Sequence, residues 1–298
     1  MYPSISEYLQ AIELSTLTLQ TLNHLVPLRK PDGQLFFSSG NFAVVFRMQD
    51  NRTGQLVALR CFLREVPQRQ LRLPLISRYL VENSSRYLLP FTYHTDEIWV
   101  DTRFGTSAEF DLITMPWVDG QPLATYVAER CRQRDQEALQ QLANQFDEMT
   151  HWLLNQPFAH GDLKPDNIMV SGSGRLTLID YDGFYVPALD GLNASETGTL
   201  PYRHPQRTPV DYSRHLDDFS LLALSLELHT LSLKPDLYSE TESLLLHTQT
   251  IEQPFHSALW EQLRGLQSRE VSARASLLEY ALHSDAGPIA SLKRLMSG

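Results

Sequence analysis

Apolar residues recur at helical spacing near the start of the chain, between residues 4 and 26. They are Ile5, Tyr8, Leu9, Ile12, Leu19 and Leu22. Because residues three or four positions apart lie on one face of a helix, this spacing predicts an amphipathic helical segment that packs on the domain that follows.

The pattern changes to that of β-strands between residues 34 and 63. Two runs rich in Val, Phe and Leu, QLFFSSGNFAVVFRMQ and QLVALRCFL, flank a turn at Asn51–Gly54 and predict an antiparallel hairpin. A helix is predicted across Leu73–Val81, with Pro74 in its first turn. The segments LLPFTYH, EIWV and EFDLITMPW predict further strands.

The C-terminal two-thirds of the chain has mainly helical periodicity after a cluster of turn residues at 118–122. A long amphipathic helix is predicted from Leu139 to Leu153, and the apolar run Phe219–Leu226 predicts a helix buried on all faces. This order of elements indicates an α+β fold with two lobes. We expect an N-terminal helical extension at 1–33, a strand-rich lobe at 34–117 and a helical lobe at 118–298.

Composition narrows the class of protein. The 298 residues carry a net charge of −10, which argues against nucleic acid or an anionic membrane as partner. Cys61 and Cys131 form no C-x-x-C pair, as expected in a reducing cytoplasm. Polar residues interrupt the apolar stretch Leu14–Leu28, and Glu7 and Glu13 precede the first basic residue. We therefore expect no membrane insertion, no signal peptide and a cytoplasmic location.

Chemistry-bearing residues are concentrated in HGDLKPDN (160–167) and LIDYDG (178–183). Between them, IMV and RLTLI flank SGSG and predict a hairpin that brings Asn167 beside Asp180. Two oxygen ligands on adjacent strand ends suit Mg²⁺, which takes few protein ligands and keeps phosphate oxygens. On the same loop, Asp162 could accept a hydroxyl proton and Lys164 could hold a phosphate.

Each of these residues also has a purely structural interpretation. Asp162, Asp166 and Asp182 could be polar loop residues, and His160 a hydrogen-bonded core histidine. Since every additional fixed residue lowers the chance of an accidental match, the ordered set favours a catalytic site.

The two segments resemble the catalytic loop H-R-D-L-K-x-x-N of protein kinases and the D-F-G that follows it. The resemblance implies Asp162 as catalytic base, Lys164 as the phosphate-side lysine, and Asn167 and Asp180 as Mg²⁺ ligands. It also implies ATP as cofactor and a bilobal fold with a small antiparallel β-sheet N-lobe and a helical C-lobe. Gly161 replaces the family's arginine, and Asp-Tyr-Asp replaces Asp-Phe-Gly.

A third segment, GTLPYRHPQ (198–206), resembles the G-T-x-x-Y-x-x-P-E that ends the activation segment of protein kinases. In that family the threonine, here Thr199, hydrogen-bonds the catalytic Asp and Lys, and the segment supports a peptide substrate. The resemblance further implies that Asp217 braces the backbone of the catalytic loop. It also implies that Arg274 contacts Gln206, which replaces the family's glutamate.

The strand-rich lobe resembles the ATP-binding lobe of the same family less closely. SSGNFAVV (38–45) keeps one glycine of G-x-G-x-x-G-x-V, VALR (57–60) looks like V-A-I-K, and ITMPWVDG (113–120) resembles the hinge. The residues implied to contact ATP are Gly40, Val45, Ala58, Arg60, Met115, Pro116 and Val118.

This lobe departs from the family in its charges. Arg60 stands where the family has a lysine; it keeps the charge, but its planar fork differs from an ammonium, and it could also be an exposed strand arginine. In the helix that should supply the partner glutamate, no acidic residue occurs from Gln68 to Val81. The first acidic residue after Gln68 is Glu82. The ion pair that normally aligns the lobes is therefore altered or missing.

Three functions stay open. The first is an ATP- and Mg-dependent protein kinase that transfers the γ-phosphate to a protein Ser or Thr hydroxyl, and the four retained catalytic-loop and metal residues favour it. The second is a pseudokinase that binds nucleotide or scaffolds a partner, and Arg60 favours it. The third is a small-molecule kinase, because H-G-D also occurs in aminoglycoside-phosphotransferase-like enzymes; the segment 198–206 argues against it.

The resemblance also bears on regulation. Kinases activated by loop phosphorylation use the arginine before the catalytic Asp to pair the phosphate, and Gly161 offers no charge. We expect activity to be independent of phosphorylation at the acceptors of the loop. They are Tyr181, Tyr185, Ser195, Thr197 and Thr199. We further expect the N-terminal helix either to pack on the 73–82 helix and replace the missing alignment, or to act as a solubilising cap.

Overall fold

The computed structural model describes residues 2–103, 107–239, 243–252 and 258–296. The chain forms two compact units. Unit 1 comprises Met1–Ser85 and Leu89–Val118, and unit 2 comprises Arg86–Leu88 and Asp119–Gly298. Unit 1 is built on a sheet and unit 2 mainly on helices, so the predicted α+β class is confirmed.

Unit 1 is built on one antiparallel sheet. Its elements are α1 (Ile5–Glu13), α2 (Ser15–Thr18), β1 (Leu25–Pro27), β2 (Phe37–Ser39), β3 (Ala43–Asp50), β4 (Leu56–Phe62), α3 (Arg69–Glu82), β5 (Thr92–Asp101) and β6 (Ser107–Pro116). The strand order is β1-β3-β4-β6-β5, and β2 also pairs with β3. The predicted hairpin is confirmed as β3 and β4, which pair from Ala43 with Phe62 to Gln49 with Leu56.

The N-terminal segment covers one face of this sheet. Tyr8, fully buried, donates its hydroxyl to the carbonyl of Phe62 at 2.9 Å. The predicted helix over 4–26 is wrong beyond Thr18, because the buried carboxylate of Glu97 accepts the backbone N–H groups of Thr21 and Leu22, each at 2.8 Å, and holds the chain out of helix. Helix α1 packs on β5.

Helix α3 begins earlier than its sequence predicts. The carbonyl of Gln68 accepts the N–H groups of Leu71 and Arg72, so the helix starts at Arg69. Pro74 therefore lies inside the helix and not in its first turn. In the helix interior its missing N–H costs one helical hydrogen bond. The Tyr2 ring lies 5.3 Å from the Arg69 guanidinium, which gives the N-terminal segment a contact with α3.

The segments LLPFTYH and EIWV do not form separate strands. Only the last three residues of LLPFTYH, but all of EIWV, belong to the single strand β5, whose register shifts between His94 and Ile98. At the shift Asp96 has a positive φ of 49°, and its N–H donates to Asp111 at 2.9 Å. The bulge thus keeps one strand continuous around a buried carboxylate.

Unit 2 packs helices around one buried helix, α6. Its elements are β7 (Gln121–Pro122), α4 (Leu123–Gln133), α5 (Gln136–Leu153), β8 (Ile168–Val170), β9 (Leu176–Leu178), α6 (Asp218–Leu233), α7 (Thr248–Glu252), α8 (Leu259–Gly265), α9 (Arg269–Leu282) and α10 (Leu292–Leu295). Fifteen consecutive residues of α6, Asp218–Ser232, are buried, and α5 and α9 pack against it. Within the described parts of the chain, no helix combines the length and apolar character needed to cross a bilayer.

Candidate active site

The backbone of the catalytic loop is held by one carboxylate at the start of α6. Asp217, 4% exposed, accepts the N–H of His160 at 2.5 Å and that of Gly161 at 2.8 Å. This is the bracing contact that the resemblance implies. The buried His160 ring lies 2.9 Å, Nε2 to oxygen, from the carbonyl of Ile179, so its position fits the structural interpretation of a hydrogen-bonded core histidine.

The side chains of Asp162, Lys164 and Thr199 meet on this loop. Lys164 Nζ lies 3.0 Å from Asp162 Oδ2 and 3.0 Å from Thr199 Oγ1. Burial works to raise the pKa of Asp162, but the charge and hydrogen bond of Lys164, together with a hydrogen bond from Thr199, outweigh it and leave the pKa lowered. The Asp162 carboxylate is therefore ionised at neutral pH, as a proton acceptor must be.

Asn167 and Asp180 stand at the ends of the hairpin. Strands β8 and β9 pair with Ile168 opposite Leu178, which confirms the predicted hairpin. The Asn167 amide group donates to the Asp162 carbonyl at 2.8 Å and to its Oδ2 at 3.2 Å. Because the NH₂ is used in this way, the amide oxygen of Asn167 is available as a ligand.

Asp180 lies two residues after β9 in the left-handed backbone region, at φ 66°. Asp tolerates this conformation better than most residues. Burial lowers the pKa of Lys164, but Asp162 and, to a smaller extent, the charge of Asp180 raise it. A carboxylate and an amide oxygen at one hairpin end form the hard, oxygen-only donor set that Mg²⁺ prefers. These residues therefore fit the ion that the resemblance implies.

A small cavity of about 220 Å³ opens beside Lys164 and Thr199. It is lined by Lys164, Asp166, Thr199, Tyr202 and Leu244, among others. The walls thus join the catalytic loop to the segment 198–206, so a group that enters the cavity also reaches Lys164.

Position 161 admits no residue larger than glycine. Gly161 has φ 84°, and a Cβ there would stand 2.1 Å from the carbonyl oxygen of Gly183. Gly183 follows the Asp-Tyr-Asp segment, and its own Cβ would lie 2.8 Å from Glu196 Oε1. The loss of the family's arginine at 161 is therefore tied to a close approach of two loops, which the sequence does not reveal.

Arg274 does not contact Gln206, so that expectation is wrong. Its guanidinium pairs with Asp147 of α5 and donates to Ser225 of α6 at 2.8 Å, whereas Gln206 is exposed. Burial would raise the pKa of Asp147, but hydrogen bonding by His229 and the charge of Arg274 lower it. A charged partner between two helices outcompetes a neutral amide. The sequence held one sign of this pairing, because Asp147 stands among the apolar positions of the helix α5.

In unit 1, residues implied to contact ATP lie on one face of the sheet. Val45 is directly opposite Arg60, and Ala58 is opposite Met115, so these four side chains share the face away from the N-terminal segment. Arg60 is 6% exposed, with its guanidinium 5.5 Å from the Phe62 ring, which rules out an exposed strand arginine.

The other predicted ATP contacts lie at the edges of this sheet. Gly40 is in the turn between β2 and β3, where its N–H donates to the carbonyl of Ala43 at 2.9 Å. Pro116 ends β6 opposite Val57, and Val118 is the last residue of unit 1. The adjacent Trp117 stacks edge-on against Phe36 at 5.8 Å.

Helix α3 buries arginines where the family has an acid. Arg69 and Arg72 are 5% and 4% exposed, whereas Glu82 is the last residue of the helix and is exposed. The buried charges of this helix therefore have the opposite sign from the glutamate that the family's lysine pairs with.

The family model of the protein kinase domain matches residues 37–287, from the first strand of the β2–β3 hairpin to beyond α9. The match covers well over half of the chain and contains every candidate site residue named above. The kinase-like α+β fold implied by the resemblance is thereby confirmed. The chain belongs to the protein kinase domain family.

Proposed function

We propose that this kinase-family domain is an ATP- and Mg-dependent protein kinase that transfers the γ-phosphate to a protein Ser or Thr hydroxyl. The observation that carries the proposal is the position of Lys164 Nζ, 3.0 Å from both the Asp162 carboxylate and the Thr199 hydroxyl. This contact ties the segment that supports a peptide in protein kinases to the residue that would accept the proton.

The roles follow from the geometry of the loop. Asp162 would accept the proton of the attacking hydroxyl, and Lys164 would stabilise negative charge on the transferred phosphate. Asn167 and Asp180 would hold Mg²⁺, which neutralises phosphate charge when it is bound. Asp217 keeps the loop in place through two N–H groups.

A protein substrate is favoured over a small molecule by the Lys164–Thr199 contact and the cavity beside it. A cytoplasmic location is supported by Cys61 and Cys131, which are both buried free thiols.

The alternative, a pseudokinase that binds nucleotide or scaffolds a partner, is supported by unit 1. In this unit Arg60 replaces the strand lysine of the family, and the buried charged residues of α3 are Arg69 and Arg72. If ATP binds without transfer, the guanidinium of Arg60 would contact its phosphates.

The test is transfer of the γ-phosphate from labelled ATP to the chain itself and to generic protein substrates, with and without Mg²⁺. Mass spectrometry of the products identifies the modified hydroxyl. We expect phosphoserine or phosphothreonine, and a loss of about 10²- to 10⁴-fold in Asp162→Asn. The matched control is Asp236→Asn, at an exposed acid of the same unit. ATP binding without transfer by the wild type would select the pseudokinase.

A further inference from the structure

Arg207 is a buried cation directly after the segment 198–206. It is 6% exposed, and among the residues that the structure describes its Nε and Nη2 have no hydrogen-bond partner. A buried guanidinium with two nitrogens that lack acceptors is costly, and nearby negative charge lowers that cost.

Gly198 lies between the Arg207 guanidinium and the Asp162 carboxylate. The point where a Cβ of Gly198 would stand is 3.2 Å from Arg207 Nη1 and 3.5 Å from Asp162 Oδ1, an oxygen that also has no partner in the described structure. Asp217 and Glu196 act on the same guanidinium electrostatically: burial lowers the pKa of Arg207, and Asp217, Asp162 and Glu196 offset this in part.

Glycines make room for this arrangement. At φ 80°, a side chain on Gly198 would press on the guanidinium, and one on Gly183 would displace Glu196. At Gly161 there is no space for an arginine, as shown above. Position 161 therefore offers the segment no cation, whereas Arg207 places one beside Asp162 from the end of the segment.

We propose that Arg207 is a positioning residue that orders the segment 182–207 against the catalytic loop through Asp162, Asp217 and the segment's own Glu196. Glu196 supplies the negative charge that a phosphate brings to kinases with an arginine at position 161, so no modification is needed. The consequence for transfer rests on the proposed function, whereas the ordering of the segment does not.

The experiment measures amide hydrogen exchange and transfer kinetics for the full chain and its Arg207→Gln variant. We expect faster exchange in 182–207 with unchanged protection in the interior of α6. We also expect kcat to fall about 10- to 100-fold with little change in KM for ATP, because the segment and its Thr199 would be displaced while Asp162 and Lys164 remain. Arg207→Lys should recover part of both losses. Arg214→Gln, which removes an exposed arginine seven residues on, is the matched control.

A second arm tests the partner. Glu196→Gln alone should loosen the segment, but the same change in Arg207→Gln should restore part of the protection, because it removes an uncompensated carboxylate. Additive effects would overturn the proposal, and so would wild-type exchange in Arg207→Gln or exchange that rises equally throughout unit 2. If the wild type transfers no phosphate, the proposed function fails, and the exchange data alone still decide the role of Arg207.

Discussion

The two units hold their charged residues in different ways. In unit 2, the catalytic loop is bound by Asp217 through two N–H groups, and Lys164, Asn167 and Thr199 are linked to Asp162 or to each other at 3.2 Å or less. In unit 1, the sheet is regular, but Arg60 replaces the family's lysine and α3 buries arginines in place of an acid.

The difference shows which contacts the fold can exchange. A proton acceptor must stand within hydrogen-bond reach of its proton, so the residues around Asp162 have little freedom. An arginine at position 60 keeps the positive charge of the family's lysine, although its planar guanidinium differs from an ammonium. Unit 2 therefore keeps the identity of Asp162, Lys164 and Asn167, whereas unit 1 keeps the shape of the sheet and the sign of the charge at position 60.

The sharpest test of this comparison sets Asp162→Asn against Arg60→Gln. We expect about 10²- to 10⁴-fold lower transfer in Asp162→Asn at nearly unchanged KM for ATP. Arg60→Gln should lose about 10-fold, mainly in KM, because it removes a charge-assisted contact to phosphate. Steady-state kinetics measure both, with Arg52→Gln in the exposed 51–54 turn as control. Equal losses in kcat would end the distinction between the units.

The Mg²⁺ ligands can be separated from the nucleotide contacts by thermal denaturation. ATP with Mg²⁺ at about 100 times the dissociation constant should add about 2.7 kcal/mol to the free energy of unfolding. Asp180→Asn should lose most of the Mg²⁺-dependent part. Asn suits the φ of 66° at this position, so the variant avoids backbone strain that Asp180→Ala would add. An unchanged Mg²⁺ effect in Asp180→Asn would remove Asp180 from the metal site.

The pH dependence of stability should reveal the buried acid of α6. Glu227 Oε1 accepts the N–H groups of Leu245 at 2.9 Å and Leu246 at 2.7 Å, and burial raises its pKa to about 7. Because the folded-state pKa lies above the unfolded value, the folded state binds the extra proton. The free energy of unfolding should therefore decrease as the pH rises from about 4.5 to 7.

The variant Glu227→Gln keeps the acceptor oxygen and removes this titration. We expect it to be more stable than the wild type at pH 8, on the order of 2 kcal/mol, and less dependent on pH below 7. Urea denaturation at pH 5 and pH 8 measures both effects. Parallel curves for the two proteins would show that Glu227 is charged throughout.

A smaller effect is expected at the start of unit 1. Ser4 caps α1 in a capping box with Glu7, whose carboxylate accepts the Ser4 N–H at 2.7 Å and the Arg103 N–H at 2.7 Å. Ser4→Ala should cost about 1 kcal/mol of stability. If α1 also aligns unit 1 for ATP, KM for ATP should rise in the same variant, whereas a solubilising cap would leave KM unchanged. Gln10→Ala, at an exposed position of the same helix, is the control.

Loop phosphorylation should have the smallest effect. Tyr181 and Tyr185 are 3% and 8% exposed, so they are poor targets in the folded state. Phosphatase treatment and the double variant Ser195→Ala/Thr197→Ala should leave transfer unchanged. A large loss in both would show that this kinase domain depends on a modified loop.

Local patterns predicted the parts of the fold that depend on neighbours in sequence. Hairpins β3–β4 and β8–β9 follow from strand periodicity and turn residues, and the buried helix α6 follows from its continuous apolar run. Arg274 and Asp147 are 127 residues apart and meet only through helix packing, so the motif pointed to the wrong partner. Likewise, the missing arginine at 161 is visible in the sequence, but the Gly183 carbonyl that fills its space is not.

The attachment of the catalytic loop to α6 offers a route to conditional alleles. Asp217 directly precedes this helix, whose Leu222 and Leu226 are fully buried. Shortening either side chain to alanine would leave a cavity and cost about 2–5 kcal/mol. Every catalytic side chain would remain, yet the loop would lose its support as the helix loosens on warming. A cell that carries such a variant would have the activity at low growth temperature and lack it at a higher one, so the core of unit 2 is the place to look for temperature-sensitive mutants.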